Sequence, residues 1–192
     1  MGRLPNEAHT VRPWIIHDLI PEFTLEDVWI VPTPGATADD FPRLLELLRA
    51  HAGRTSSPLT RALFAIRERL GSLLGWDGPQ HGRGGQVVPV RDRVPEALRA
   101  PTAQPGLLTP AYQAPDEMAA ELGASTAHAV LHYGWVEIGG GHALQVAVYA
   151  LPHGLLGRLY LLAILPLRRL IVWPAMLRDW ERVWRDRDAT RA

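Results

Sequence analysis

The stretch from Thr126 to Leu151 constrains the fold most, because apolar residues alternate with other residues on both sides of a glycine run. Alternation with a period of two indicates strands, and the run from Gly139 to Gly141 is typical of a tight turn. Together they predict a β-hairpin. A register with Trp135 opposite Leu144 makes one hairpin face fully apolar, and a slip of one residue would destroy that match.

The other face of the first predicted strand carries His128 and His132. On a strand these side chains point the same way but stand about 13 Å apart, too far for one metal ion. A helical zinc site would need a glutamate where the chain has Ala129. Two readings stay open: a wetter, convex face of the sheet, or a polar cavity wall where both histidines serve as acid/base or ligand-anchoring groups.

The residues before the hairpin predict one strand and two helices. Leu25 to Val31 is typical of a strand that ends at Pro32. Helices are predicted from Phe41 to Ala50 and from Pro58 to Leu74, because leucines recur there at three- and four-residue spacing.

Gly75 to Gln113 is the least regular part of the chain and is rich in glycine and proline. We expect a long loop that forms a lid or rim. Short strands are predicted within it at Val87 to Val90 and at Leu107 to Tyr112.

Leu155 to Arg185 predicts one long amphipathic helix. Arg168 and Arg169 fall largely off its apolar stripe. Pro166 and Pro174 are expected to kink or break it, since each removes a backbone donor at a cost of about 3 kcal/mol in a helix interior. The stripe consists of Leu170, Trp173, Leu177, Trp180 and Trp184.

This order of elements predicts an α+β domain with an antiparallel sheet and the helices on one side. The 192 residues suffice for one domain with a proper core. We expect a single domain over residues 11–185, with flexible ends at residues 1–10 and 186–192.

Composition narrows the function. The net charge is zero and no basic block stands out, which disfavours a nucleic-acid partner. With no cysteine, disulfides and thiolate metal sites are excluded. The most apolar segment, Leu155 to Trp173, is interrupted by Arg158, Pro166 and Arg168, so we expect no membrane span and a cytoplasmic location.

Two further expectations concern partners and cofactors. The apolar C-terminal helix leaves open docking on a membrane or on a second copy of the chain. No phosphate loop, dinucleotide fingerprint or nucleophile elbow is present, so no cofactor is expected.

His17, Glu26 and Asp27 are the other acid/base candidates. Neighbouring carboxylates on a strand point to opposite faces, so only one of Glu26 and Asp27 should face the interior. An inward carboxylate in an apolar cavity would hold its proton tightly and could act as an acid or base. The favoured reading is a structural ion pair with an arginine such as Arg12 or Arg91.

Aromatic side chains are the candidates for ligand binding. Such rings can stack on a flat ligand, although each can equally serve as core packing. The candidates are Trp14, Trp29, Tyr133, Trp135, Tyr160 and Trp173.

Six segments in a fixed order carry a resemblance to a known family. They are RPWIIHDLIPEFTLEDVW (12–29), FP (41–42), LFAIRERLGSLLGW (63–76), RDRVP (91–95), STAHAVLHYGWV (125–136) and GLLGRLYLLAILPLRRLIVWPAM (154–176). They resemble an uncharacterised bacterial domain family grouped with the helix-grip proteins, the START, Bet v 1-like and polyketide-cyclase-like (SRPBCC) superfamily. The chain departs from the family pattern after Pro166, where Leu167 and Arg168 replace an aromatic-His pair.

The resemblance implies a curved antiparallel sheet that grips the C-terminal helix around a cavity for a lipid, sterol, polyketide or similar molecule. The fold alone supplies no reaction. We therefore expect binding of a small apolar or aromatic molecule. The alternative is a cyclase, dehydratase or isomerase in the same cavity, without a metal, whose candidate catalytic residues are His17, Glu26, Asp27, His128 and His132.

Overall fold

A curved, open, six-stranded antiparallel sheet runs through the residues that the computed structural model describes, namely 2–51, 88–101, 108–123 and 126–187. The strand order is β1-β2-β6-β5-β4-β3. The strands are β1 (Gly2–Leu4), β2 (Thr24–Pro32), β3 (Thr109–Gln113), β4 (Glu117–Gly123), β5 (Ala127–Ile138) and β6 (Gly141–Pro152). The α+β class is confirmed.

The predicted hairpin forms the centre of this sheet. β5 and β6 pair along their whole length, and Trp135 lies opposite Leu144 as predicted. Gly139 and Gly140 both adopt positive φ, at 59° and 78°. Only such a pair closes a two-residue turn whose twist matches the strands, and glycine adopts it at the least cost.

The helices are short, apart from α3 and the C-terminal region. They are α1 (Glu7–Thr10), α2 (Ile16–Leu19), α3 (Phe41–His51), α4 (Val90–Arg93), α5 (Gly154–Leu167) and α6 (Trp173–Arg185). Single 3-10 turns cover Ala38–Asp40 and Glu96–Leu98.

The C-terminal helix changes type where a break or kink was expected. Pro166 lies inside α5 and Pro174 in the first turn of α6, and a π-helical segment, Arg168–Val172, joins the two helices. A π turn is wider than an α turn, so it shifts the phase of the residues that follow. Leu170, predicted on the apolar stripe, is therefore 76% exposed.

One apolar layer lies between the sheet and helices α3 and α6. We call this face of the sheet the helix-facing side. Strand residues such as Trp29, Tyr133 and Leu144 meet Trp173 and Leu177 of α6 there. Burying such side chains stabilises the fold by roughly 2 kcal/mol each.

The opposite face of the sheet is covered as well. We call it the N-terminal side, because residues 5–23 lie across it together with residues 88–101. Ile16 and Val90, which cover it, and Tyr112 and Val130, which belong to the sheet, are fully buried. Of the two readings left open for the histidines of β5, the wetter face is therefore wrong: His128 is 6% and His132 is 0% exposed.

Other predictions had mixed outcomes. The strand at Leu25 to Val31 and the helix at Phe41 to Ala50 are confirmed within β2 and α3. The strand at Val87 to Val90 was wrong, because Val90 begins α4 directly after Pro89. The helix from Pro58 to Leu74 lies outside the described residues.

The ends of the chain were predicted to be flexible. Residues 2–10 contribute strand β1 and helix α1, and they bury His9 against the sheet. A flexible tail was predicted for residues 186–192. Residues 188–192 lie outside the described part of the chain.

No helix in the described ranges is long and apolar enough to cross a membrane. Helix α5 nevertheless exposes four leucines: Leu155, Leu156, Leu159 and Leu162. Docking of this helix on a second copy of the chain stays a prediction.

Candidate functional site

The sheet separates the predicted site residues into two groups. Trp29, Tyr133, Trp135 and Trp173 lie on the helix-facing side, whereas Trp14, His128 and His132 lie on the N-terminal side with the nearby His17. The three histidine candidates therefore lie on the opposite side of the sheet from most of the candidate aromatic ligand residues.

Four aromatic side chains form a continuous group on the helix-facing side, which we call the aromatic layer: Trp29, Tyr133, Trp173 and Trp180. The rings of Trp29 and Trp173 stack at 6.3 Å between centroids with an interplanar angle of 26°. Trp180 contacts Trp173 edge-on at 6.3 Å and lies 5.9 Å from Tyr133. Burial raises the pKa of the Tyr133 hydroxyl, so that group stays protonated.

The indole N–H groups on this side fall into two classes. Trp135 Nε1 donates to the Thr37 carbonyl at 3.0 Å, and Trp184 Nε1 donates to the Pro34 carbonyl at 3.1 Å. Trp29 Nε1 and Trp173 Nε1 are equally buried but have no acceptor among the described residues. Buried donors without an acceptor are rare in native proteins, so this stacked pair is the most unusual feature of the helix-facing side.

Two predicted ligand residues lie apart from that pair. Trp135 packs on Phe41 and on His142, each at 5.7 Å, and its N–H is occupied, so it belongs to the structural end of the hairpin. Tyr160 is half-buried on α5, before the π-helical segment.

Asp27 lies at the centre of an arginine cluster, which we define as Arg3, Arg168 and Arg169. Its Oδ1 accepts from Arg169 Nε at 2.6 Å and lies 3.2 Å from Arg3 Nε, while Oδ2 accepts from Arg168 Nη2 at 2.7 Å. Asp27 is fully buried. The favoured reading of a structural ion pair therefore has the right chemistry but other partners than Arg12 or Arg91.

The expected split of Glu26 and Asp27 onto opposite faces was also wrong. The β2–β6 register shifts between Leu25 and Asp27, which is a β-bulge. A bulge re-aims side chains, and Glu26 Oε2 lies 3.4 Å from the same Arg168 Nη2 that binds Asp27.

Three imidazoles gather on the N-terminal side, and we call them the histidine cluster: His9 and His132, which are buried, and His17, which is half-buried. Ring centroids are 5.1 Å apart for His9 and His17 and 4.9 Å apart for His9 and His132. The Trp14 ring packs above them, so close to Gly134 that a Cβ there would come within 2.8 Å of it. Glycine at position 134 is what lets the tryptophan reach the sheet.

Glu117 ties this cluster to the sheet. Its oxygens accept hydrogen bonds from the Ile15 N–H at 2.9 Å, from the Tyr112 hydroxyl at 2.6 Å and from His132 Nε2 at 2.8 Å. Burial opposes the charge of Glu117, but these donors outweigh burial and lower its pKa. His9 Nδ1 meets Gln145 Oε1 at 2.7 Å.

Burial favours the neutral form of His9 and His132 in this cluster. Burial and the neighbouring His132 lower the pKa of His9 to about 3, and burial lowers the pKa of His132 as well. Because Glu117 and Gln145 Oε1 accept, the remaining atoms His132 Nδ1 and His9 Nε2 are lone-pair acceptors, and neither has a partner within the described chain.

His128 belongs to a separate pair. Its Nε2 bonds Glu121 Oε2 at 2.8 Å, and Glu121 also accepts the backbone N–H groups of Val90 and Arg91. This pair fastens residues 88–101 to the sheet. Among the residues that the structure describes, no group of three or more histidine, aspartate or glutamate side chains is placed to hold a metal ion.

The sequence analysis did not identify four of these residues: His9, Glu117, Glu121 and Gln145. It also missed the ion pairs that Arg168 and Arg169 form with Asp27. A signal existed for the two glutamates. Glu117 and Glu121 have the same four-residue spacing as His128 and His132, and β4 pairs antiparallel with β5. Antiparallel pairing brings such equally spaced residues together in complementary pairs.

Comparison with known proteins gives one match. Residues 19–175, most of the chain, match the family described as "Protein of unknown function (DUF2867)". No curated protein and no solved structure matches the chain. The chain therefore belongs to this family.

Proposed function

For this member of the DUF2867 family we propose that the helix-facing side binds a small apolar or aromatic molecule, such as a lipid or polyketide. The observation that carries the proposal is the pair of buried N–H groups on the stacked rings of Trp29 and Trp173, which have no acceptor among the described residues. In the bound state both groups donate to an acceptor on the ligand, such as a carbonyl oxygen.

The cost of leaving two buried N–H groups without an acceptor supports a bound ligand at the aromatic layer. A buried donor without a partner costs about 1–3 kcal/mol, and two such donors lie on adjacent rings. A water molecule would accept from both but would leave its own two protons without acceptors in an apolar layer. A carbonyl-bearing apolar molecule satisfies both donors and brings no donor of its own.

The proposal includes the helix-grip architecture. What supports it is the curved antiparallel sheet, the long C-terminal helix packed against one face, and the aromatic layer between them. In such an arrangement the ligand lies between sheet and helix, where Trp29 and Trp173 meet.

Catalysis in the same cavity is the weaker alternative. A cyclase, dehydratase or isomerase would need acid/base groups there, but His128 and His132 lie on the N-terminal side of the sheet and His17 packs there as well. Asp27 is held by three guanidiniums. Glu26 is the candidate that keeps some exposure on the helix-facing side. A single carboxylate does not supply both the acid and the base that such a reaction needs.

Two probes that differ in one acceptor test the proposal. We expect the full chain to bind 2-acetylnaphthalene at least about tenfold more tightly than 2-ethylnaphthalene, since a net hydrogen bond contributes about 1 kcal/mol and two are formed. Quenching of tryptophan fluorescence measures both affinities. Native mass spectrometry of the purified protein, followed by solvent extraction, identifies any molecule that co-purifies.

Tryptophan-to-phenylalanine variants locate the site. W29F and W173F keep an aromatic ring but remove the unpartnered donor, so both should lose the preference for the ketone. W135F is the matched control, because its N–H already bonds Thr37 and its loss should leave the preference unchanged. Equal binding of both probes to wild-type protein, or no binding of either, contradicts the proposal.

A further inference from the structure

We propose that the molecule bound at the aromatic layer carries a carboxylate, and that Arg168 binds this acid group. This inference rests on the proposed function and names the ligand class: an aromatic or other apolar monocarboxylic acid. The site is the arginine cluster around Asp27, beside the stacked rings of Trp29 and Trp173.

The charges of the groups that contact one another around Asp27 do not balance. Arg3, Arg168 and Arg169 contribute three positive charges, and Asp27 and Glu26 contribute two negative charges. Arginine keeps its charge at any pH at which a protein is folded, so a surplus positive charge stays in this partly buried place. One monoanion neutralises it, whereas a phosphate monoester, with nearly two negative charges, would overcompensate.

The Nε–H of Arg168 is available to bind an acceptor. Its Nη2 binds Asp27 and Glu26, but its Nε is buried and has no acceptor in the described part of the chain. The side chain is 14% exposed, so the missing hydrogen bond is costly. Three N–H groups on this side of the sheet, on Trp29, Trp173 and Arg168, therefore have no acceptor within the described ranges, and one acidic ligand group can supply acceptors to them.

The chain path places these donors together. Trp29 follows Asp27 by two residues, so both side chains point to the helix-facing side of β2. The π-helical segment begins at Arg168 and ends just before Trp173. Its wide turn lets the guanidinium and the indole ring both face β2, which an unbroken α-helix would not do at a spacing of five residues.

One arginine of the cluster, Arg3, lies at an open groove at the sheet edge. An open groove of about 450 Å³ is lined by Arg3, Leu4, Pro5, Asn6 and Glu7. The Arg3 side chain is 46% exposed in this groove while its Nε contacts Asp27. An acid group can therefore approach from the groove, although it must pass Glu7, whose charge opposes it.

The test compares 2-naphthoate with 2-acetylnaphthalene, which share the ring system and a carbonyl oxygen. Wild-type protein should bind 2-naphthoate about tenfold to a hundredfold more tightly, because a hydrogen bond to a charged group contributes more than a neutral one. This preference should shrink as salt rises from 50 mM to 500 mM. The affinity for the neutral ketone should not change with salt.

Variants assign the preference to Arg168. R168Q should bring the two affinities to within about threefold while binding of the ketone is retained. R12Q is the matched control, because Arg12 lies over Trp14 on the other side of the sheet, and it should keep the full preference. The salt series on wild-type protein needs no variant and decides the question if R168Q does not fold.

The outcomes separate this inference from the proposed function. Equal affinity for both probes, or a preference for 2-naphthoate that R168Q retains, overturns the carboxylate assignment and leaves the aromatic site standing. If neither probe binds, the proposed function itself fails.

Discussion

The two sides of the sheet treat buried polar groups differently. On the N-terminal side, Glu117 and Glu121 each accept several protein donors and thereby hold flanking segments in place. On the helix-facing side, the buried atoms of Trp29, Trp173 and Arg168 that have no partner among the described residues are all donors. The donors around the two glutamates are satisfied within the protein, whereas these three have no acceptor in the part of the chain that the structure describes.

Unpartnered atoms also occur on the N-terminal side, but they are of both kinds. Trp14 Nε1 and the Tyr149 hydroxyl can donate, whereas His9 Nε2 and His132 Nδ1 can only accept. Water both donates and accepts, so ordered water satisfies a mixed set. The contrast teaches that the kind of unpartnered atom, rather than the number, distinguishes a candidate ligand site from a hydrated core.

The largest expected effect comes from breaking the N-terminal side at Glu117. In E117Q an amide N–H₂ replaces one of the two oxygens that accept from Ile15, Tyr112 and His132, so at least one buried donor loses its partner. We expect a loss of about 3 kcal/mol in the free energy of unfolding, measured by urea denaturation at pH 7. An effect below about 1 kcal/mol would show that these bonds do not hold the N-terminal segment.

Acid should weaken the same side. Folded His9 takes up a proton only near pH 3, but unfolded His9 does so near pH 6.5. Between these values the unfolded state binds more protons, so stability is complete above pH 6.5 and falls as the pH drops. Wild-type protein should lose up to about 1.4 kcal/mol per pH unit more than H9N, which cannot titrate.

Urea unfolding from pH 7 to pH 5 measures this difference. Within that range Glu117 and Glu121, whose pKa values are lowered below 4.5, contribute little. Parallel pH profiles for wild-type protein and H9N would contradict a neutral, buried His9.

The smallest effect on stability is expected at Trp173. W173F removes a donor that has no acceptor in the described part of the chain, so the free energy of unfolding should change by less than about 1 kcal/mol even though ligand affinity falls. W184F, which removes the bond to Pro34, should cost more, by about 1 kcal/mol. If W173F is the more damaging of the two, the Trp173 N–H has a structural partner and the contrast between the two sides disappears.

Local periodicity was enough to predict the hairpin and its register, because alternation and a glycine turn act within neighbouring residues. Strand β4 was not foreseen, because Glu, Met, Ala and Leu favour helices in isolation and its strand conformation depends on pairing with β3 and β5. The cover on the N-terminal side was missed for a similar reason. His9 is buried with its Nδ1–H donating to the Oε1 of Gln145, a residue distant in sequence.

The candidate site was only partly predictable. Trp29 and Trp173 could be named from their positions on a strand and a helix, but whether their N–H groups find acceptors depends on the tertiary structure. Arg168 and Arg169 looked like solvent-facing residues because regular α-helical phase was assumed through Val172.

The π-helical segment makes the length of the C-terminal helix as important as its composition. Each residue added to or removed from an α-helix rotates everything beyond it by about 100°. The π turn already holds about one residue more than an α turn, so a further residue inserted between Arg168 and Val172 would turn the stripe of α6 away from the sheet, while every core side chain stayed in the chain. Substitutions at exposed Leu170 should be tolerated readily, and insertions there should not. The length of this segment, more than the identity of its residues, therefore sets which face of α6 meets the sheet.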